Sequence, residues 1–147
     1  TFNMIEGRNG QTLNGKWQSE GTKTFLGIQS HGFPNLFIVS GPQGGGGSFN
    51  FTNAIEEHGD YIVWMLSTMR EQGANIMDVH QEPEDRYAAH CRNADINSAP
   101  LRDCISYYND EGNAEPGSLA YYGGGTWHKI RIEAQASLEP YLFEPGN

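Results

Sequence analysis

Phe33-Pro-Asn-Leu-Phe-Ile-Val-Ser-Gly-Pro-Gln-Gly-Gly-Gly-Gly-Ser-Phe-Asn-Phe-Thr-Asn-Ala-Ile-Glu-Glu-His58 is the stretch that decides the fold. Leu36-Phe-Ile-Val39 is a continuous apolar run, the pattern of a strand covered on both faces. Gly41-Pro-Gln-Gly-Gly-Gly-Gly-Ser48 follows, almost bare of side chains, and an amphipathic helix begins beyond it. This order brings bare backbone N–H groups and a helix N-terminus to the end of a strand, a place that suits a flat or anionic cofactor. Neither G-x-G-x-x-G nor G-x-x-x-x-G-K-[ST] occurs, so half a cofactor site is present without a phosphate fingerprint.

Working outward, Thr24-Phe-Leu-Gly-Ile28 reads as a second strand, and the two together point to an α/β fold with a parallel sheet under covering helices. A short element is expected at Leu13 to Trp17. Asn53 with Glu56 makes a capping box for the helix after the glycines, with Thr52 or Asn50 as alternative caps. Ile55, Ile62, Leu66 and Met69 recur at helical spacing, flanked by Trp64 and Met65, up to a stop near Gly73. Asn75 to Val79 reads as a weak strand. Pro83 suits the first turn of a second helix, with Tyr87, Ala88, Cys91 and Ala94 facing inward. A polar loop over 109–118, a strand at Leu119 to Tyr122 and a last helix from Thr126 to about Ser137 complete the pattern.

The 147 residues fit one domain, yet only 37% are hydrophobic and 19 are glycine, which marks a loop-rich piece that leans on something larger. A first residue other than Met fits a fragment or a processed chain. The net charge of −9 argues against nucleic acid or an anionic membrane surface as partner. No stretch approaches the roughly 18 apolar residues of a membrane helix. Cys91 and Cys104 are too few for a disulfide framework and lack C-x-x-C spacing, so a cytoplasmic location is expected.

Each chemical motif has a plainer reading beside it. The glycine run lets backbone approach a ligand closely, but it also suits a surface loop, and Gly44 to Ser48 spells a common flexible-linker unit. His31, His58, His80, His90 and His128 show no metal-ligand spacing and read as solvated or hydrogen-bonded, so no metal is expected. Ser40 and Ser48 lie in no nucleophile-elbow context, and Glu82-Pro-Glu-Asp85 reads as a helix start. No catalytic residue is assigned. Tyr107-Tyr108 and Tyr121-Tyr122 suit either a flat-ring pocket or a small aromatic core.

Lys23-Thr-Phe-Leu-Gly27, Gly32-Phe-Pro-Asn-Leu-Phe37, Gly41-Pro-Gln43 and Ala54-Ile-Glu-Glu-His58, in this order and spacing, resemble the C-terminal part of Baeyer–Villiger monooxygenases. The similarity continues more weakly through Ser106-Tyr-Tyr108 and Tyr122-Gly-Gly124. It implies that residues 1–147 are a single partial domain: the C-terminal portion of a Rossmann-like FAD-binding domain, incomplete on its own. The intact enzyme would use FAD and NADPH to insert one oxygen of O2 next to a ketone carbonyl. Both cofactors would need the missing N-terminal part of the enzyme, which is the implied partner, and a small ketone-like molecule is the implied substrate. By the same resemblance Gly41, Pro42 and Gln43 would border the flavin ring, and Asn50 and Phe51 would offer backbone N–H groups to its pyrimidine edge. Tyr107 falls where the family usually has a Trp that contacts NADP and substrate. Gly44, Gly45, Gly46 and Gly47 replace the bulkier pocket residues usual in the family, which implies a wider or more mobile substrate pocket. The isolated chain would be inactive. An N- or S-oxygenating flavin monooxygenase and a non-catalytic binding domain of related fold remain as alternatives.

Overall fold

The computed structural model describes residues 4–44, 50–95 and 125–145. A short 3-10 turn at Arg8–Gly10 leads into helix α1, Leu13–Glu20. Helix α2 spans Phe51–Glu71, strand β1 Ile76–Val79 and helix α3 Gln81–Asp95. Helix α4, Gly125–Ser137, and strand β2, Tyr141–Glu144, close the described chain. No helix among the described residues is long and apolar enough to cross a membrane.

Local chemistry explains most of these boundaries. Thr12 caps α1 by accepting from the Gly15 N–H, and Gly21, at φ +80°, ends it. Asn50 rather than Asn53 caps α2, its Oδ1 accepting from the Thr52 N–H at 2.9 Å. Gly73, at φ +65°, follows the end of α2. The buried face of α2 is Ala54, His58, Tyr61, Met65, Thr68 and Met69, one step around from the stripe that hydrophobicity alone picks out. Phe51, Val63 and Leu66 are 57%, 64% and 53% exposed, so α2 is apolar on two sides and only one is covered here.

The described sheet corrects the expected parallel arrangement. It has two strands, β1 and β2, paired antiparallel from Ile76 opposite Glu144 to Val79 opposite Tyr141. The pattern therefore supports α/β content with a small sheet and packed helices. The segment expected as a strand at Thr24–Ile28 is a tight turn in which Phe25 and Gln29 exchange backbone hydrogen bonds. Leu26 and Gly27, at φ +58° and +72°, form its tip. Leu36–Val39, expected as a strand covered on both faces, joins no strand among the described residues: the chain turns at Val39, which is half-exposed, and Ile38 N–H donates to Ile28 C=O at 2.7 Å. Leu119–Tyr122, the 109–118 loop and Cys104 lie outside the described residues.

The 25–29 turn sits at the centre of the core. Phe25, Leu26 and Ile28 are buried with Tyr61, Met65, Met77, Tyr87, Cys91, Trp127 and Tyr141. The Trp127 indole N–H, from α4, donates to the Leu26 carbonyl at 3.0 Å. Gln29 Oε1 and the Tyr61 and Tyr141 hydroxyls form a buried chain with 2.7 Å links. Burial pushes both phenols above their ordinary pKa, so they stay neutral donors.

An ion pair buried at the other side joins α1 to α3. Lys16 Nζ reaches Glu84 Oε2 at 2.6 Å, Ser30 Oγ at 3.1 Å and the His31 carbonyl at 2.9 Å, using all three of its donors. Glu84 Oε1 accepts from Ser30 Oγ and the His31 N–H. With every group satisfied, the pair sets position; deleting one partner strands a buried charge. In urea unfolding of the intact protein, Glu84→Leu is expected to cost about 3–5 kcal/mol. Lys16→Met combined with Glu84→Leu should recover part of that, and a double variant no better than the single would contradict it. Gly27→Ala should also destabilise, because a Cβ there would meet the Gly44 Cα at 2.0 Å from a backbone held at φ +72°. A loss of at least about 2 kcal/mol is expected from strain and overlap together, and thermal melting indistinguishable from the parent protein would refute it.

Candidate functional site

The glycine-rich segment begins where two backbone segments, the 25–29 turn and the 41–44 turn, come into near contact. A Cβ on Gly41 would lie 2.5 Å from the Gly27 carbonyl oxygen and 2.8 Å from Ile38 Cγ2. One on Gly44 would lie 2.9 Å from the Gly41 carbonyl oxygen and 3.0 Å from the His58 ring. At these two positions and at Gly27, glycine is required by the chain's own crossing, before any ligand is considered. The Gly44 N–H donates to the Gly41 carbonyl at 3.0 Å, closing the turn.

Gln43 sits inside this crossing. Its side chain is fully buried, Oε1 accepting from the Thr24 N–H and Oγ1 at 3.0 and 2.9 Å while Nε2 donates to the Thr22 carbonyl at 3.2 Å. Its own carbonyl accepts from the Tyr87 hydroxyl at 2.7 Å. Of the expected flavin-border residues, Gln43 therefore points its side chain into the protein. Gly41 and Pro42 are half-buried at the edge, with the Pro42 carbonyl accepting from Thr24 Oγ1 at 2.9 Å.

Asn50 and Phe51 stand exposed at the start of α2. The Asn50 side chain is used on the cap and its carbonyl accepts from the Ala54 N–H at 3.1 Å. First-turn N–H groups have no acceptor within a helix, and they carry the positive end of its dipole. Gly45, Gly46, Gly47 and Tyr107 lie outside the described residues.

His58, read from the sequence only as a solvated or hydrogen-bonded histidine, joins the helix to the loop. The Ser40 N–H donates to His58 Nδ1 at 3.1 Å, so the ring proton is on Nε2, which donates to the Gly44 carbonyl at 3.1 Å. The ring is 1% exposed, and burial pulls its pKa below the ordinary histidine value, partly offset by the Gly44 hydrogen bond and the Glu57 charge. It lies against the Trp127 indole, centroids 5.5 Å apart. Glu57, the preceding residue, accepts from Arg131 Nη2 at 2.9 Å, and Arg131 stacks over Trp127 at 5.5 Å. The available signal was spacing: Ala54, His58 and Tyr61 fall on one helical face.

A cleft of about 640 Å³ opens elsewhere, between α3 and α4, lined by Phe25, His80, Tyr87, His90, Ile130 and Pro140 among others. None of the expected site residues among those described lines it.

No family model matches the chain. It is 31% identical over 130 residues to a Baeyer–Villiger monooxygenase of Streptomyces coelicolor, covering 86% of this chain and 21% of that protein. Among solved structures, an oxidized steroid monooxygenase bound to NADP superimposes with TM-score 0.79 at 26% identity, over 95% of this chain and 26% of that one. The polycyclic ketone monooxygenase of Thermothelomyces thermophila gives TM-score 0.79 at 26% identity, over 95% and 24% of the two chains. The chain spans about a fifth of the length of the curated relatives it matches. It is homologous to one segment of the Baeyer–Villiger monooxygenases.

Proposed function

We propose that this chain is the C-terminal part of the Rossmann-like FAD domain of a Baeyer–Villiger monooxygenase, and that it forms the flavin and substrate side of the active site. FAD, reduced by NADPH, would supply the activation of O2 by which one oxygen enters next to a ketone carbonyl. The observation that carries the reading is the exposed start of α2 at Asn50 and Phe51 beside a glycine loop that His58 clamps to the same helix. Exposed, dipole-polarised amides at Asn50 and Phe51 suit the electron-rich pyrimidine edge of a flavin, whose reduced form is anionic. Gly41 and Pro42 would border the ring with backbone and a short rigid side chain. Gln43 would act from behind, its buried amide holding the loop to Thr22 and Thr24. Gly45 to Gly47 would leave room on the substrate side, Gly44 being instead buried against Gly41 and His58, and Tyr107 would face NADP and substrate.

The second apolar side of α2 supports residues 1–147 as a partial domain. Phe51, Val63 and Leu66 would be covered by the rest of the enzyme, which would also bring the phosphate-binding glycines that this chain lacks. Apolar Leu36–Val39 would then be covered by that missing part.

The test is made on the intact protein. Visible flavin absorbance, NADPH-dependent O2 uptake with ketones, and lactone or ester products are the expected result. Products from amines or sulfides alone would move the assignment to an N- or S-oxygenating enzyme. A colourless protein with no response to NADPH would refute the reading and favour a binding domain. Bulky side chains at Gly46 and Gly47 are expected to narrow the range of ketones converted, and an unchanged range would refute the open-pocket assignment.

A further inference from the structure

We infer that His58 is a positioning residue for the flavin-side loop, its neutral imidazole holding Ser40 and Gly44 so that Gly41 and Pro42 keep a fixed distance from the N-terminus of α2. This rests on the reading that the loop borders a flavin. The geometry is specific to a neutral ring of one tautomer. Nδ1 accepts from one arm of the loop and Nε2 donates to the other, five atoms of one rigid ring spanning both arms. No water is needed as a bridge, since the ring is 1% exposed.

The ring's own position is fixed from two elements. It extends from α2, and Trp127 of α4 lies against its face while donating to Leu26 in the turn beneath the loop. Glu57 and Tyr61 on α2, with Arg131 and His128 on α4, are the charged or titratable groups that neighbour it on the helices that hold it. The 40–44 loop and the 25–29 turn contribute none, as their sequences contain no ionisable side chain. Burial outweighs the Gly44 hydrogen bond and the Glu57 charge, which favour protonation, so His58 stays neutral near pH 7.

The sign of the pH dependence follows. The folded-state pKa lies below the ordinary value of about 6.5. The clamp is therefore intact at neutral and alkaline pH and is lost as pH falls through that lowered value. Protonation there converts the acceptor for the Ser40 N–H into a donor and opens that side of the loop.

The experiment compares the intact flavoprotein with its His58→Ala and His58→Gln variants by backbone hydrogen exchange of peptides covering 40–44. It also measures the fraction of consumed NADPH that appears as oxygenated product, from pH 5 to 9. His58→Ala should retain bound flavin, exchange in the loop at least tenfold faster and lose several-fold in coupling. His58→Gln, whose amide can donate and accept without titrating, should restore part of both and lack the wild-type fall in coupling at acid pH. If His58→Ala does not fold, His58→Gln carries the test. Exchange and coupling profiles identical to wild type in a folded, flavin-bound variant would overturn the inference alone. A wild-type protein that binds no flavin would overturn the reading beneath it.

Discussion

The tightest constraint among the described residues is the meeting of two backbone segments, the 25–29 turn and the 41–44 turn, at Gly27, Gly41 and Gly44. There is no room for a Cβ on any of them, and a single buried ring, His58, bonds to both sides of the loop they form. The turn at 25–29 passes beneath and is gripped from every side: by Trp127 at Leu26, by Ile38 at Ile28, and by Tyr61 at Gln29. Helices α2 and α4 are placed by these contacts, and the orientation of the loop relative to the N-terminus of α2 follows from them. In the proposed function that orientation is what matters, since the dipole of α2 acts only at short range.

Buried polar groups, more than apolar area, define this arrangement. Lys16 with Glu84, Asp78 with Arg8 and the Gly32 N–H, Gln43 with Thr24, and the Tyr61–Tyr141–Gln29 chain each join segments distant in sequence. Such contacts stabilise little on balance but penalise alternatives strongly, because any rearrangement leaves a donor or acceptor unmatched in a dry interior. A chain with a modest hydrophobic fraction can hold a loop in one geometry by this means.

What was legible in the sequence were the features written in local spacing. The cap-plus-stripe pattern found α2, Pro83 with Glu84 and Asp85 marked the start of α3, and Asn75 to Val79 marked β1. The order of Gly-Phe-Pro-Asn-Leu-Phe and Gly-Pro-Gln carried the family likeness. The strand expected at 24–28 failed because Gly27 was read as a neutral member of an apolar run. Its positive φ is the mark of a turn, and Leu26 adopts the same region, which no propensity reveals. Leu36–Val39 forms no strand among the described residues, because a strand is defined by a partner and hydrophobicity does not supply one. The face of α2 was misplaced because Tyr61 and His58 are buried through specific partners, whereas Leu66 of the apolar stripe is exposed. Gln43 was placed at a cofactor edge by likeness alone, and its inward hydrogen bonds depend on Thr22 and Thr24, twenty residues away in the chain.

The most direct measurement is a crystal structure of the intact protein with flavin bound. The account predicts the Asn50 and Phe51 amides within hydrogen-bond distance of the flavin's pyrimidine edge, Gly41 and Pro42 along the ring, and His58 still bonded to Ser40 and Gly44. A flavin bound away from this loop and from the N-terminus of α2 would contradict it.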